Sequence, residues 1–505
     1  MNRPNILLIT TDQQRKETLG CYESICRTPN LDGLAREGIV FDRAYCPHAT
    51  CSPSRSSILT GQYGSRHGCY SIGVSLPYDS IKVTDSFNQA GYESYLVGKA
   101  HFRSCGTKGE FEGRPNIFNE DFWRGYDGGY FGFQNTRLCI GHTTEPHGAS
   151  MHYRVWLRDK GLTDKDFGRY FHSYDDGQVP NFVMGPWDLP EELHPSTWIG
   201  ERSCDYIDDA AAKGKPFFMW TSFPDPHIPF RVPEPYASMY SPGEVPHYTF
   251  REGEYDDKPP FFKIARDKGW DALGWNDAHG LPSAFFTKQA PVFQGKERHA
   301  LALYYGMMTL VDKNCGRILD HLRDRQLDTN TIVIFTTDHG DYMGNHGLWS
   351  KGLFCYEDVC NIPMIVRCPH CETPGARSDA LQSLVDFAPT LLSMSGLPVP
   401  DAMQGLDQSP VWLGRSHTVR DCVKVENRPV REKVYQKMLV TDHYKLVVYM
   451  GQDYGELYDM KSDRDHFRNL WDKPSAQGVK ARLMQRLISH EMESEGRPLE
   501  RTAFS

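Results

Sequence analysis

The sequence predicts an α/β fold: a mostly parallel central sheet sandwiched by helices, followed by a smaller C-terminal α+β domain. Three observations predict it. Apolar runs of strand length recur at residues 5–11, 93–97, 216–222 (PFFMWTS) and 331–337 (TIVIFTT). Such unbroken runs fit strands buried on both faces rather than half-exposed ones. Helical signals lie between them, as a parallel sheet with crossover helices requires. Polar clusters follow several strand ends directly: Thr11-Asp12-Gln13, Gly98-Lys99-Ala100-His101, Pro224-Asp225-Pro226-His227 and Asp338-His339-Gly340-Asp341.

In chain order, residues 5–11 form the first strand. Thr28-Pro29-Asn30 starts a helix whose apolar face is Leu31, Leu34 and Ala35. Residues 40–44 read as a second strand, and 54–59, after a proline, as the start of another helix. Residues 86–90 are helical and 381–392 read as a helix. Residues 103–200 and 231–298 are rich in Gly, aromatic and charged residues with little periodicity, and read as long insertions over the sheet rim. Surface decoration and a substrate wall are equally good readings of them. Past residue 410 the pattern changes. Residues 438–441 and 444–449 look like antiparallel strands and 477–490 like an amphipathic helix. The expected division is a large α/β domain over 1–410, carrying both insertions, and a small α+β domain over 411–505.

A chain of 505 residues is too long for one ordinary core. The net charge is −9 and no basic stripe interleaves with aromatics, so nucleic acid is not expected as a partner. An anionic substrate would need a local cationic site. No stretch approaches the roughly 18 apolar residues of a membrane helix, and the run at residues 6–9 is too short for a signal peptide. A cytoplasmic, non-membrane protein is the expectation, and the oligomeric state stays open. The 14 cysteines read mostly as reduced, buried, small apolar residues. Cys368-x-x-Cys371, with His370 between and Cys355 and Cys360 nearby, has zinc-knuckle spacing, but no second tight pair completes it. An ordinary turn is the better reading.

In open parallel sheets, ligands bind outside the carboxyl ends of the strands. If the strands are real, the four polar clusters share one rim. Cys51-Ser52-Pro53-Ser54-Arg55 lies nearby in sequence. From the residues alone, Cys51 is a thiol at a helix start with Arg55 one turn on, which lowers its pKa and makes a reactive thiolate. An inert buried cysteine is the alternative. Asp12-Gln13, taken alone, is a strand-end turn; beside Asp338-His339 it reads as half of a metal site.

Cys51-Ser52-Pro53-Ser54-Arg55 followed by Thr60-Gly61 resembles the signature of the sulfatases, Cys-x-Pro-x-Arg then Thr-Gly, and the resemblance runs from Asp12 to Gly455-Glu456-Leu457-Tyr458-Asp459. It implies that Cys51 is oxidised to formylglycine by a maturation enzyme and that its hydrate is the nucleophile. It implies metal ligands at Asp12, Gln13, Asp338 and His339, with position 51 also facing the metal. Arg55 is implied to steady the diol and bind the metal-site carboxylates. Lys99 is implied to bind a sulfate oxygen, and His101 to bond the diol and trigger elimination. His227 is implied to bind sulfate and protonate the leaving oxygen, and Lys351 to be the second sulfate-binding lysine and an alternative acid. Many relatives have Asp-Asp where this chain has Asp12-Gln13, and Asn where it has His339. Calcium is favoured as the one divalent metal; the imidazole leaves magnesium, manganese and zinc open. His67 receives no catalytic step and His346 reads as structural.

The expected activity is hydrolysis of a sulfuric ester, with a sulfated sugar or other small organic sulfate as substrate. A phosphonate or phosphate ester hydrolase using the same site is the first rival, since both departures occur in such relatives. A non-enzymatic binding protein on the same fold is the second.

Overall fold

The structure, a computed structural model, describes residues 3–141, 148–171, 184–248, 250–268, 295–430 and 434–495. The two insertions expected over the rim lie partly outside the described residues.

Asn5–Thr11 is the central strand, and all seven of its residues are buried. It pairs in parallel with Thr331–Thr337 on one side and Phe217–Ser222 on the other, with Leu8 opposite both Ile334 and Trp220. Glu93–Gly98 and then Asn135–Leu138 extend the sheet in parallel beyond Phe217–Ser222. On the far side Met364–Arg367 joins Thr331–Thr337 antiparallel, followed by Ile39–Phe41 and Arg377–Ser378. This eight-stranded sheet is therefore parallel but for one strand.

Period-2 alternation explains how one apolar run serves two cores. Ile6 and Leu8 belong to one hydrophobic cluster, Leu7 and Ile9 to the other. Helices Pro29–Glu37, Pro195–Lys213 and Glu297–Asp324 cover the Leu7/Ile9 face. Helices Cys51–Thr60, Val83–Gln89 and Phe387–Met394 cover the other.

Two helices differ from their sequence reading, both because of proline. The helix expected after Pro53 begins two residues before it, at Cys51. The one expected over 381–392 becomes the short strand Gln382–Ser383, a 3-10 turn Leu384–Asp386 and the α-helix Phe387–Met394. Pro53 and Pro389 then each sit in a first turn, where a missing N–H costs no helical hydrogen bond. The 28-residue helix Glu297–Asp324, beginning at the end of an insertion, was not anticipated.

The C-terminal part is an antiparallel sheet of Cys422–Val430, Val434–Thr441, Tyr444–Tyr449 and Gly455–Asp459. One face presents Val423, Val425, Met438, Val440, Val447 and Tyr449 to the main core. The other holds Leu439, Leu446 and Leu457 against Leu483 and Leu487 of helix Gln477–Glu493. Among the described residues, no helix is long and apolar enough to cross a membrane.

Candidate active site

The four polar clusters do share one rim, since each follows a parallel strand of the large sheet. Glycine makes two of the turns. Gly98 has φ +91°, and a Cβ there would meet Ser222 O at 2.0 Å; a Cβ on Gly340 would meet Asp358 O at 1.9 Å. Both side chains are excluded by backbone that cannot yield.

Cys51 stands at the start of its helix with its Sγ 3.1 Å from His339 Nε2 and 3.5 Å from Asp12 Oδ1. Lys351 Nζ donates to the same sulfur at 2.8 Å. Arg55, fully buried, donates through Nε to Asp338 Oδ2 at 2.8 Å and through Nη1 to Ser222 Oγ at 2.7 Å and Lys99 O at 3.0 Å. Lys99 Nζ is bonded to Asp12 Oδ2. Gln13, in the left-handed region at φ +63°, donates its N–H to Asp338 Oδ1 at 3.1 Å and its amide nitrogen to Asp341. The turn is fixed from behind by Tyr304, whose hydroxyl donates to Gln13 O at 2.5 Å.

Ligand atoms of Asp12, Cys51, Asp338 and His339 lie within 4.8 Å of one another, all buried. The donor set fits a cation. His339 Nδ1 faces Gly340 O at 2.9 Å. A carbonyl only accepts, so Nδ1 carries the proton and the Nε2 lone pair points at the cluster. Burial pushes the His339 pKa down to about 4, so the ring is neutral and able to ligate. Gln13 Oε1 is buried with no hydrogen-bond partner, which is costly unless a ligand takes its lone pairs.

Electrostatics correct the thiolate reading of Cys51. Burial, followed by the Asp12 carboxylate, pushes its thiol up to about 12, against the pull of Lys351. Arg55 is turned toward Asp338 and leaves the sulfur to Lys351. Acidity does not separate Cys51 from other buried cysteines either: burial takes Cys26 and Cys139 to about 12 as well. What sets Cys51 apart is its neighbours.

Asp12 is opposed by burial but surrounded by cations. Lys99 first, then Lys351 and Arg55, hold its carboxyl well below the usual range. His101 and His227 are both held well below the ordinary imidazole range by burial, helped by Lys99 and Lys351 respectively. His227 Nδ1 lies 2.6 Å from Ile228 O. His101 sits at φ +56° with a buried Nδ1 that has no hydrogen-bond partner.

One supporting residue lies where sequence reasoning saw only an insertion. The buried carboxylate of Glu112 accepts the backbone N–H groups of His101 (2.8 Å), Phe102 (3.0 Å) and Arg103 (3.2 Å), plus the Tyr130 hydroxyl (2.7 Å). No local pattern marks it; the turn it braces is what identifies it.

The other singled-out residues lie elsewhere. His346 is 2.9 Å from Glu254 and 3.5 Å from Asp358, stacked on Tyr356. His67 is packed under the Cys51 helix, 3.1 Å from Ser57 Oγ. Cys371 N donates to Cys368 O at 3.3 Å in a turn, and Cys355 and Cys360 are free, buried thiols.

The sulfatase family profile matches residues 4–397. The chain belongs to the sulfatase family. A second profile, described as the C-terminal region of N-sulphoglucosamine sulphohydrolase, matches residues 344–493 of this sulfatase. The sulfatase is 30% identical over 475 residues to an arylsulfatase of Clostridium perfringens, covering 93% of this chain and 90% of that one. It is 27% identical over 508 residues to an N-acetylglucosamine-6-O-sulfatase of Bacteroides thetaiotaomicron, covering 96% and 86%. In fold it matches the phosphonate monoester hydrolase of Agrobacterium radiobacter with a TM-score of 0.78 at 24% identity, over 98% of this chain and 97% of that one. The sulfatase is an enzyme of sulfate ester hydrolysis.

Proposed function

We propose that this sulfatase releases sulfate from a sulfated sugar or another small organic sulfate. The nucleophile is formylglycine made from Cys51, assisted by a divalent metal, calcium favoured, at Asp12, Gln13, Asp338 and His339. The setting of Cys51 carries this reading. Two carboxylates, an imidazole and an ammonium gather around a thiol that burial keeps protonated, which suits an oxygen nucleophile at that position better than a thiolate. The helix Cys51–Thr60 is buried along its whole length, so the maturation enzyme acts on this segment before it folds.

Converted to formylglycine, position 51 takes up water to give a geminal diol. One hydroxyl attacks sulfur and displaces the substrate's alcohol, leaving a sulfate ester on the residue; loss of the other hydroxyl's proton then re-forms the aldehyde and expels sulfate. A divalent cation bound there would lower the pKa of that diol and neutralise a sulfate oxygen. The residues of the chain do the rest. Arg55 fixes Asp338 and, at 3.9 Å, balances Asp12. Lys99 and Lys351 offset charge gathering on non-bridging oxygens. His101, neutral with an unpartnered nitrogen, is suited to take the proton that triggers elimination. Burial and the charge of Lys351 keep His227 neutral in the free enzyme. The anionic ester bound beside it favours the protonated ring, so His227 can give the proton to the leaving oxygen, with Lys351 as the alternative donor.

The relation to an N-acetylglucosamine-6-O-sulfatase supports a saccharide sulfate as substrate. Gln13 and His339 favour one second reading, an ester hydrolase that prefers phosphonate. Comparing kcat/KM on an aryl sulfate and an aryl phosphonate decides between them: the sulfate is expected to be faster by about ten-fold or more, and a faster phosphonate reverses the assignment. Metal analysis of the purified protein is expected to give one divalent ion per chain, and none would remove the metal from the account.

A further inference from the structure

The inner face of the C-terminal sheet carries three polar residues where its pattern calls for apolar ones. Asn427 continues the register of Val423 and Val425; Gln436 that of Met438 and Val440; Lys445 that of Val447 and Tyr449. All three are fully buried. A buried amide or ammonium is costly unless it is paired, so each needs a partner across the interface.

The partners are not scattered. Asn427 Nδ2 donates to Gly352 O at 2.5 Å and lies 3.4 Å from Leu353 O. Gln436 Nε2 donates to Leu353 O. Lys445 Nζ donates to Cys355 O and pairs with Glu357 at 3.2 Å. The remaining carbonyl of that run, Phe354 O, accepts from the Tyr342 hydroxyl at 2.5 Å. Residues 351–356 form neither helix nor strand, so their carbonyls have no ladder of their own. Four consecutive carbonyls, 352 to 355, are held by side chains, three of them from adjacent strands of the C-terminal sheet. The residue just before this run is Lys351, whose Nζ reaches Cys51 Sγ at 2.8 Å.

We infer that Asn427, Gln436 and Lys445 are positioning residues that hold the 352–355 segment so that Lys351 reaches position 51. The C-terminal sheet is thus part of the catalytic apparatus through one lysine. This rests on the reading of Lys351 above, and the test separates the two.

Gln436→Met keeps the volume and removes the donor. A lysine displaced by about an ångström can cost on the order of a hundred-fold, so kcat/KM on an aryl sulfate should fall about ten- to a hundred-fold, with metal content and formylglycine content unchanged. The deciding measurement is the double variant with Lys351→Ala. If the clamp acts through Lys351, Gln436→Met adds less than about two-fold in that background. Multiplicative losses overturn the inference, and so does a wild-type rate for Gln436→Met. A wild-type rate for Lys351→Ala overturns instead the reading of Lys351 on which the clamp depends. Should Gln436→Met not accumulate as folded protein, Asn427→Ser removes the Gly352 contact without adding volume and carries the same expectations.

Discussion

At the rim of the large sheet, Asp12, Lys99, Asp338 and His339 follow strand ends and face one another; on the small sheet, Asn427, Gln436 and Lys445 sit within strands and face a loop. Both sets are buried and polar, and they answer different needs. The rim gathers opposite charges so tightly that Lys99, Lys351 and Arg55 together hold Asp12 ionised in spite of burial. The small sheet gathers donors for main-chain carbonyls. The first arrangement supplies chemistry, the second geometry. A change at the rim should therefore strike turnover and spare the fold, whereas a change in the C-terminal sheet should strike position or stability.

The largest expected effect is at the rim. Cys51→Ala removes the nucleophile, and kcat should drop by about 10⁴-fold or more, while the thermal midpoint stays within about 2 °C. Residual turnover near wild type would mean that the nucleophile lies elsewhere, and a collapsed midpoint would mean that Cys51 belongs with the structural set.

Glu426 sharpens the other side. It lies on the helix-facing side of the small sheet, 3.0 Å from Lys424, and bonds the N–H and hydroxyl of Ser65, each at 2.8 Å. Burial opposes its ionisation, but Lys424 and Lys437 bring its pKa from about 4.5 down to about 2. A lowered folded-state pKa gives stability that is full above about 4.5 and is lost as pH falls through about 2, worth about 3 kcal/mol. Glu426→Gln should flatten the acid limb of the stability profile between those values, measured by denaturant melts, and leave kcat per folded molecule unchanged. A steep limb in the variant would assign acid sensitivity to other groups.

Glu112 lies between the two cases, bracing the rim without touching the sulfur. Glu112→Gln leaves fewer acceptor sites for three N–H groups and should lower kcat about ten-fold through His101, with KM little changed. A loss confined to the thermal midpoint would make Glu112 merely structural.

How legible these features are in the sequence follows the same division. Unbroken apolar runs announced the buried strands, and a polar cluster right after each announced the rim, because both signals are local. Cys51 was legible as a position, but its thiolate character was not, since the carboxylate beside its sulfur comes from Asp12, 39 residues away. Glu112 sits in aperiodic sequence, and only the fold returns it beneath residues 101–103. Asn427 and Gln436 did leave a trace: each takes the register of a valine or methionine in an alternating strand, a polar residue where burial demands an apolar one. Such a break in the pattern marks a residue with a buried partner, though not which partner.

Peptide mass spectrometry over residues 44–66 of protein made alongside a formylglycine-generating enzyme tests the central claim most directly. The account predicts formylglycine at position 51, at an occupancy that tracks specific activity across preparations. Unmodified cysteine in a fully active preparation would contradict it.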